Sequence, residues 1–371
     1  MTKPLALVVG SINDIAPVKY LIESFHSMGW ETFVVSDKKS DLAKVNKYGA
    51  VDINGVVQKF NLNPEFLLFV EGGEMGIFPT NFAHLDFPTI WWGIDTHNDY
   101  LKHLRISRLF DHSLIAQKSF IETLRSDGIT SLSWFPLASP ISTPSTEARD
   151  IDVSYIGSTN WALYPQRGEL LNALSTNIEN CVFGQQSAAE MLQTYSRSKV
   201  VFNNSLKNDV NMRIFEAMGA GALLVTNPII NNGIEDLFEE GSDYISYTDA
   251  ADLRTKVLNL LKPESERAEI AQSGMRKIHS KHTYNIRAEE IAVLAKSLTK
   301  NGTYNLLQES AALISMGMVE DAIGAFRAGL KDESRGSRSK LSALIATPIL
   351  LLAQVVAKAL EKILLARRLF S

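Results

Sequence analysis

The stretch "NDVNMRIFEAMGAGALLVT", residues 208–226, joins a polar loop, a helix-forming segment and an apolar strand. The small residues of "GAGA" allow the end of a helix to lie close against a sheet. Arg213 and Glu216 are three residues apart, so on a helix they share one face close to its amino end. The stretch therefore predicts a helix that packs on a sheet and presents two charged groups to a ligand.

Strands and helices alternate on both sides of this stretch. Upstream, "LALVVG", "WETFVVSD", "PEFLLFVEGG" and "PTIWWGID" are apolar runs that end in glycine or polar residues. Such runs are typical of parallel strands covered by helices on both faces. The segment "SPISTPSTEARD", residues 139–150, is rich in Pro, Ser and Thr and is interpreted as a linker. We therefore predict two doubly wound α/β domains, residues 1–138 and 151–299, with a ligand cleft between them.

Two further segments follow the second domain. Residues 303–333 predict a helical hairpin that resembles a single tetratricopeptide unit. One such unit cannot bury its apolar face alone, so we expect it to pack on the body or on a partner. Residues 341–371 predict an apolar helix with a basic end, and three interpretations stay open: a packed or oligomerising helix, an interfacial membrane helix, and a transmembrane span. At most, we expect peripheral contact with the inner face of a membrane.

Composition limits the classes of function. The 371 residues carry a formal net charge of -4, which gives no electrostatic reason to expect a nucleic-acid partner. Cys181 is the only cysteine and the N-terminus lacks a signal-peptide pattern, so we expect a cytoplasmic protein. No G-x-G-x-x-G follows the first strand, which disfavours a dinucleotide-dependent dehydrogenase or epimerase. The pair Asp150 and Asp152 lies where the linker enters a strand, and we predict neither a metal site nor a required cofactor.

A nucleotide site is predicted at the carboxyl edge of the second sheet. Gly157 and Ser158 end a strand, and Arg167 lies near the start of the next helix, a combination that suits a diphosphate. Arg213 suits a diphosphate as well, and Glu216 suits a ribose diol, because a carboxylate accepts two hydroxyl hydrogen bonds. Each feature also has an ordinary structural interpretation, as a strand-to-helix turn and as an Arg–Glu pair on a helix surface.

Acid–base candidates lie at the ends of two strands of the first domain. Asp95 and His97 follow "WWG", and either group could take the proton of an attacking hydroxyl. His97 could instead hold a phosphate of the ligand, and the structural alternative is a helix cap. The end of another strand is predicted to line an acceptor site, through Glu71, Gly72 and Gly73. Other histidines have no partner by spacing and are interpreted as structural: His84, His103 and His112.

The stretch 208–226 and its flanks resemble the C-terminal signature of group 1-type glycosyltransferases, in the bacterial branch similar to the spore maturation protein CgeB. The resemblance includes "WWGIDTHN" and "LFDHSLIAQKSFIETLRSDGITSLSWFPLAS" in the first domain, and "DVSYIGS", "QRGELLNAL" and "HTYNIRAEEI" in the second. It runs from about Leu5 to Leu298. It implies the GT-B fold, in which two Rossmann-like domains face each other and the second holds most of a nucleotide-sugar donor.

The resemblance also implies an activity and residue roles. In the group-1 enzymes a Glu, seven residues, Glu pattern contacts the donor sugar and the ribose; Glu216 matches the second Glu, whereas Asn208 stands at the first. The amide of Asn208, or Asn211, would then contact the sugar. Arg213 and Arg167 would neutralise the leaving diphosphate. The implied activity is metal-independent sugar transfer, with retention, from a nucleoside diphosphate donor of unknown base to a glycan, lipid or protein hydroxyl. The alternative is a non-catalytic GT-B scaffold that binds partners or a membrane through its C-terminal helices.

Overall fold

The computed structural model describes residues 3–13, 17–72, 75–82, 85–140, 148–160, 162–262, 264–300, 306–318 and 321–323. Gly73 and the tail 341–371 lie outside the described residues, as do 141–147 of the predicted linker. Of the predicted hairpin, residues 306–318 and 321–323 are described, and the rest of it lies outside the described residues.

A parallel sheet forms the centre of the first domain. The strands of this domain are β1 (Leu5–Val9), β2 (Glu31–Ser36), β3 (Val45–Asn46), β4 (Gly49–Asp52), β5 (Phe66–Val70), β6 (Ile77–Thr80), β7 (Thr89–Gly93), β8 (His112–Ile115) and β9 (Leu132–Trp134). Seven of them pair in parallel in the order β3-β2-β1-β5-β7-β8-β9, and β4 pairs with β6. In the central register, Leu7 lies opposite Phe33 on one side and Leu67 on the other. Every residue of β5 and β7 is buried, which explains why these strands are continuous apolar runs.

The second domain repeats this plan on a smaller scale. Its strands are β10 (Ile151–Ile156), β11 (Cys181–Gly184), β12 (Ser198–Asn203), β13 (Leu223–Thr226) and β14 (Ile245–Ser246). They pair in parallel in the order β11-β10-β12-β13-β14. The predicted fold class, two doubly wound parallel sheets, is therefore confirmed. In both sheets the first strand of the domain lies in the interior of the strand order, so a crevice opens beside it at the carboxyl edge.

Helices cover the sheets and connect their strands. They are α1 (Pro17–Ser27), α2 (Ile53–Phe60), α3 (Tyr100–Ser107), α4 (Ile121–Ser126), α5 (Pro165–Ser175), α6 (Ala188–Arg197), α7 (Met212–Gly219), α8 (Ile234–Leu237), α9 (Ala250–Leu261), α10 (Glu264–Lys281), α11 (Tyr284–Ser297) and α12 (Leu306–Ser315). Local sequence starts several of them: Ser187 and Glu190 form a capping box on α6, and Asp249 caps α9. Within the described ranges, no helix is long and apolar enough to cross a membrane.

The two domains are in contact at places other than the linker that connects them. The sequence groups α11 with the second domain, but α11 packs against α1 of the first, with the rings of Tyr20 and Tyr284 5.1 Å apart. Beside it, Ser139 exchanges backbone hydrogen bonds with His282 and Tyr284 at 2.8 and 3.1 Å. The Arg287 side chain donates to a carbonyl oxygen of the crossing segment at 2.9 Å. Helical periodicity identifies an apolar face and not the partner of that face, which is why the sequence misses this contact.

The end of the predicted linker is anchored. The Arg149 guanidinium donates to the carbonyl oxygens of Tyr195, Ser198 and Ala220 at 3.3, 2.7 and 2.8 Å. These carbonyls lie at the carboxyl ends of α6 and α7, where a cation is favourable. The chain therefore enters β10 in a fixed position.

The described part of the hairpin packs on the first domain. Ala312, Leu313 and Ala322 belong to the core that surrounds β5 and β7. The Glu309 carboxylate accepts a hydrogen bond from the backbone N–H of Asn81 at 3.0 Å. The described part of the hairpin thus buries apolar side chains against the body of the protein.

Candidate functional site

A cavity of about 530 Å³ opens at the carboxyl edge of the second sheet. Six of the seven predicted donor-binding residues line it: Gly157, Ser158, Arg167, Asn211, Arg213 and Glu216. Gly157 and Ser158 directly follow β10, Arg167 lies in the first turn of α5, and the other three begin α7. The parallel topology brings these elements together, because the carboxyl ends of β10 and β12 meet at one edge.

Arg213 is held in one orientation. Its Nε and Nη2 donate to the carbonyl oxygen of Ile156 at 3.2 and 2.8 Å, and Nη1 donates to Oδ1 of Asn203 at 2.8 Å. The guanidinium lies over the Tyr155 ring, 4.4 Å from its centroid. Gly157 permits this close approach, since a Cβ there would lie 2.5 Å from Nη2. The result is a fixed cation at the junction of two strand ends.

Arg167 is a second cation and has fewer partners. The residue is 8% exposed, its Nη1 donates to the Ser158 carbonyl oxygen at 3.3 Å, and its guanidinium lies 4.4 Å from the centroid of the Tyr164 ring. Its buried Nε has no hydrogen-bond partner among the described residues, and no described carboxylate is among the groups that act on its charge. Burial, and secondarily the charge of Arg213, lowers the pKa of Arg167. A buried cation with unused donors is what an anionic ligand would stabilise.

Glu216 provides an acidic group of the cavity. Its side chain lies on α7 and the residue is 4% exposed. Burial raises the pKa of Glu216 to about 7, against the opposing charge of Arg213. No described residue donates a hydrogen bond to its carboxylate, so both oxygens are available to hydroxyl groups of a ligand.

Two asparagines add unused acceptors to the cavity wall. Oδ1 of Asn204 and Oδ1 of Asn211 are buried without a hydrogen-bond partner in the described structure. Asn211 occupies the N-cap position of α7, yet its side chain makes no capping hydrogen bond. The first N–H groups of α7 therefore lack a side-chain cap and point their dipole toward the cavity, as in anion sites at helix amino ends.

Asn208 is the one predicted donor-binding residue that does not line the cavity. Its Oδ1 accepts a hydrogen bond from the Ile230 N–H at 2.6 Å, and its Nδ2 donates to the Ile230 carbonyl. The next residue, Asp209, lines the cavity instead. Sequence reasoning missed Asp209; the available signal was its place in a polar loop, two residues before the N-cap Asn211. Lys207 and Asn208 have positive φ angles of 50° and 65°, and this left-handed turn directs Asp209 to the cleft.

A smaller cavity of about 240 Å³ lies between the domains. From the first domain it is lined by the predicted acceptor-side residues Glu71 and Gly72 and by the predicted catalytic residue Asp95. From the second domain it is lined by Asp209 and Asn211, which border the larger cavity as well. The two cavities therefore share a wall. Burial, and secondarily the charge of Glu71, raises the pKa of Asp95 to about 6.

Glu71 fixes the loop that carries Asp95. One carboxylate oxygen, Oε2, accepts hydrogen bonds from the backbone N–H groups of Ile94 and Asp95 at 2.6 and 2.8 Å. The other, Oε1, lies 3.2 Å from Nε2 of His103 and 3.7 Å from Nζ of Lys102. Burial acts to raise the pKa of Glu71, but His103, the backbone and Lys102 together lower it to about 2. Glu71 is thus an ionised, fully buried group, and its partner His103 is a residue for which spacing gave no partner.

His97, the second predicted catalytic residue, lies on the same loop as Asp95. It lines neither of the two cavities. Its buried Nδ1 has no hydrogen-bond partner among the described residues. Burial, and next the charge of Lys207, lowers the pKa of His97. The ring is therefore more easily kept neutral than an exposed histidine.

The carboxylates of Asp150 and Asp152, at the start of β10, form ion pairs with basic side chains. The Asp152 carboxylate lies 2.6 Å from Nζ of Lys199, and Asp150 pairs with Arg197 at 2.5 Å. Across the described residues, no group of three or more His, Cys, Asp or Glu could hold a metal ion.

Comparisons with known proteins address the second domain and the fold. Residues 145–292 match the family model described as "Glycosyl transferase-like". Comparison of the sequence with curated proteins gives no match.

Several solved structures share the fold. Anabaena HepE, solved in complex with UDP and glucose, aligns with a TM-score of 0.60 at 12% identity, over 80% of this chain and 100% of that chain. Sucrose-phosphate synthase from Thermosynechococcus elongatus aligns with a TM-score of 0.57 at 12% identity, over 80% and 98%. An alpha-glucosyltransferase in complex with UDP-glucose and DNA containing an abasic site gives 0.55 at 11% identity, over 79% and 99%.

Identities this low establish the fold alone, and that fold is GT-B. The family match covers the domain that carries the larger cavity. Together, the match over the second domain and the GT-B fold of the body support a glycosyltransferase.

Proposed function

We propose that the protein transfers a sugar from a nucleoside diphosphate sugar, with UDP as the nucleotide, to a hydroxyl group of an acceptor. The diphosphate lies between Arg167, Arg213 and the amino end of α7, and Glu216 accepts the hydroxyls of the ribose. Asp95, at the smaller cavity, takes the proton of the acceptor hydroxyl. The leaving diphosphate is stabilised where its charge develops.

The observation that carries this proposal is the buried Arg167. Its Nε has no partner in the described structure, and no described carboxylate compensates its charge, although the residue lines the 530 Å³ cavity of the second domain. A cation in this state is costly without an anion beside it. A diphosphate supplies that anion and bridges to Arg213, which lines the same cavity.

The choice of UDP is supported by related folds. Structures with this fold were solved with UDP, UDP and glucose, or UDP-glucose. Metal-independence is supported by the two guanidinium groups, which supply positive charge where a cation would otherwise act. Retention of anomeric configuration rests on the resemblance to the group-1 enzymes, and product analysis by NMR tests it.

The acceptor class is proposed from charge. A glycan, lipid or protein hydroxyl suits a protein with a formal net charge of -4 better than nucleic acid does. Three further proposals rest on the sequence. They are a place in the CgeB-like branch, a cytoplasmic location and peripheral membrane contact through residues 341–371. A flotation assay that compares the full chain with a chain ending at Ser339 tests the membrane contact; equal flotation of both removes it.

Turnover of UDP-sugars tests the proposed function. We expect the wild-type protein to release UDP from one member of a UDP-sugar panel, and Arg213→Ala and Glu216→Gln to reduce kcat/KM by roughly 10- to 100-fold each. Arg254→Ala, which removes an exposed arginine on α9, is the matched control and should leave turnover unchanged. Wild-type rates in both site variants would contradict the site.

The alternative, a non-catalytic GT-B scaffold, makes a different prediction. A scaffold has no need to bind nucleotide, so calorimetry with UDP should give no heat of binding. The feature that favoured it was Asn208 in place of a glutamate. Asn208 bonds to Ile230 and lies outside the cavity, while Asp209 supplies a carboxylate at the cavity wall, which weakens that argument.

A further inference from the structure

We propose that Asp209 is a second carboxyl group of the reaction centre, paired across the domain cleft with Asp95. The inference rests on the proposed function and adds a residue that belongs to the donor domain. Its chemical consequence is that the acceptor is an uncharged or cationic hydroxyl compound, because the reacting hydroxyl enters a cavity lined by carboxyl groups.

The position of Asp209 is the first support. Asp209 lines both the 530 Å³ cavity and the 240 Å³ cavity, together with Asn211 and Met212. In a sugar transfer, the carbon atom that changes partners must lie between the donor diphosphate and the acceptor hydroxyl. The shared wall of the two cavities is the place where those two groups meet. Of the residues in that wall, Asp209 is the one with an ionisable side chain.

The second support is the bridge that holds the two carboxyl segments together. Nε2 of Gln117, in the first domain, donates to Oδ1 of Asp209 at 2.6 Å and to the carbonyl oxygen of Ile94 at 3.3 Å. Ile94 directly precedes Asp95. The other end of the same amide, Oε1, accepts a hydrogen bond from Nδ2 of Asn232 in the second domain. One buried amide therefore fixes both acidic segments relative to each other.

The third support is the charge around the pair. Asp95 is faced by Glu71, His103, Lys102 and Lys207, and Asp209 is faced by Asp95, Gln117 and Arg213. Burial, and secondarily the charge of Asp95, raises the pKa of Asp209 to about 7. Two interacting carboxyl groups titrate as one unit, so near neutral pH the pair holds a single proton.

A singly protonated pair has both groups that the step requires. The ionised carboxyl accepts the proton of the acceptor hydroxyl while the oxygen of that hydroxyl forms a bond to the sugar carbon. The bond from that carbon to the diphosphate oxygen breaks, and its electron pair leaves with the diphosphate. The protonated carboxyl donates a hydrogen bond to a sugar or acceptor hydroxyl. Oδ1 of Asp209 accepts from Gln117, and no described residue donates to Oδ2. A phosphorylated acceptor would bring a second negative charge to the pair and is disfavoured.

A double-mutant cycle in thermal unfolding tests the pairing without any substrate. Asp95→Asn, Asp209→Asn and the double variant are compared with wild type at pH 8 and pH 5. At pH 8 each single variant should raise the unfolding midpoint, and the double variant should gain less than the sum, because the repulsion is removed only once. At pH 5 the gains should largely disappear, since the pair is then protonated. Additive gains at pH 8 would overturn the pairing.

Turnover of the UDP-sugar used in the activity assay tests the catalytic role. Wild type should give a bell-shaped pH profile, and Asp209→Asn should lower kcat by 100-fold or more and lose the alkaline limb, with UDP affinity within about twofold. Asp236→Asn is the matched control: this carboxylate also bridges the domains, through Lys118 at 2.6 Å, but lies outside both cavities. An unchanged profile in Asp209→Asn would overturn the inference. If wild type fails to bind UDP, the proposed function fails, and the unfolding cycle still decides whether the carboxyls are paired.

Discussion

The two cavities of the cleft share a wall, but only the larger one is lined by positively charged side chains among the described residues. In the second domain, Arg167 and Arg213 bring two positive charges to the larger cavity, beside the carboxyl groups of Glu216 and Asp209. Both guanidinium groups lie against tyrosine rings, and we call these two arginines the cationic side. Between the domains, Asp95 and Asp209 make the smaller cavity acidic, with the Glu71 carboxylate behind them. The difference indicates two separate roles. The cationic side stabilises a leaving diphosphate, and the acidic side moves a proton.

The two sides also differ in how their charges are supported. The arginines are positioned largely within one domain, by Ile156, Asn203 and Ser158. The acidic pair depends on both domains, through Gln117. Substitutions on the cationic side should therefore change donor affinity, and substitutions on the acidic side should change turnover and its dependence on pH.

The largest effect is expected from removing the support of the acidic side. Glu71→Ala leaves two backbone N–H groups and His103 without their acceptor, and loss of one partner of a buried ionic group costs about 3–5 kcal/mol of unfolding free energy. Because the pKa of Glu71 is lowered to about 2, its stabilisation is present above about pH 4.5 and disappears as pH falls toward 2. Chemical unfolding across this range measures it.

Glu71→Gln is the control that separates the hydrogen bonds of Glu71 from its negative charge, because it keeps the shape of the side chain and removes the charge. The amide oxygen can still accept the N–H groups of Ile94 and Asp95, so the loss of stability should be smaller. Since the charge of Glu71 helps to raise the pKa of Asp95, the acid limb of turnover should shift to lower pH. An unmoved limb would mean that Asp95 is not the titrating base.

A smaller loss is expected on the cationic side. Arg167→Ala removes a charge-assisted contact worth about 1.5–3 kcal/mol, so the Kd for UDP should rise roughly 10- to 150-fold. The affinity for uridine, which lacks phosphate, should change little. Calorimetry with both ligands measures the difference, and equal losses for the two would argue against phosphate contact by Arg167.

A comparable but more local effect is expected at Gly157. A Cβ in Gly157→Ala would lie 2.5 Å from Nη2 of Arg213, so the guanidinium must shift, at a cost of about 1–3 kcal/mol. Gly184→Ala is the matched control, because Gly184 ends the neighbouring strand and nothing lies within 4 Å of its Cβ position. We expect UDP affinity to fall in the first variant only; an equal fall in both would point to backbone strain.

The smallest effect concerns Glu216 and pH. The raised pKa of about 7 means that this carboxyl ionises between pH 6 and 8, and the ionised form accepts two ribose hydroxyls. Uridine affinity should therefore rise a fewfold, up to about tenfold, across this range. In Glu216→Gln the rise should be absent. A rise that persists in this variant would assign the titration to another group.

The sequence predicts the residues of the cationic side better than those of the acidic side. Central strands such as β5 and β7 are predictable because both faces of each are buried. The pair Arg213 and Glu216 is predictable because helical spacing is local. The acidic side depends on contacts between distant segments: Gln117 and Asp209 are 92 residues apart, and Glu71 and His103 are 32 apart. Spacing within one element carries no information about such partners, so His103 was assigned no partner and Asp209 was overlooked.

A crystal structure of the protein with UDP is the most direct test of the central claim. We predict density for the diphosphate in the cavity at the carboxyl ends of β10 and β12, within hydrogen-bond distance of Arg167 and of the first N–H groups of α7. The ribose hydroxyls should contact the Glu216 carboxylate. UDP bound at another surface, or a diphosphate that does not contact Arg167, would contradict the account.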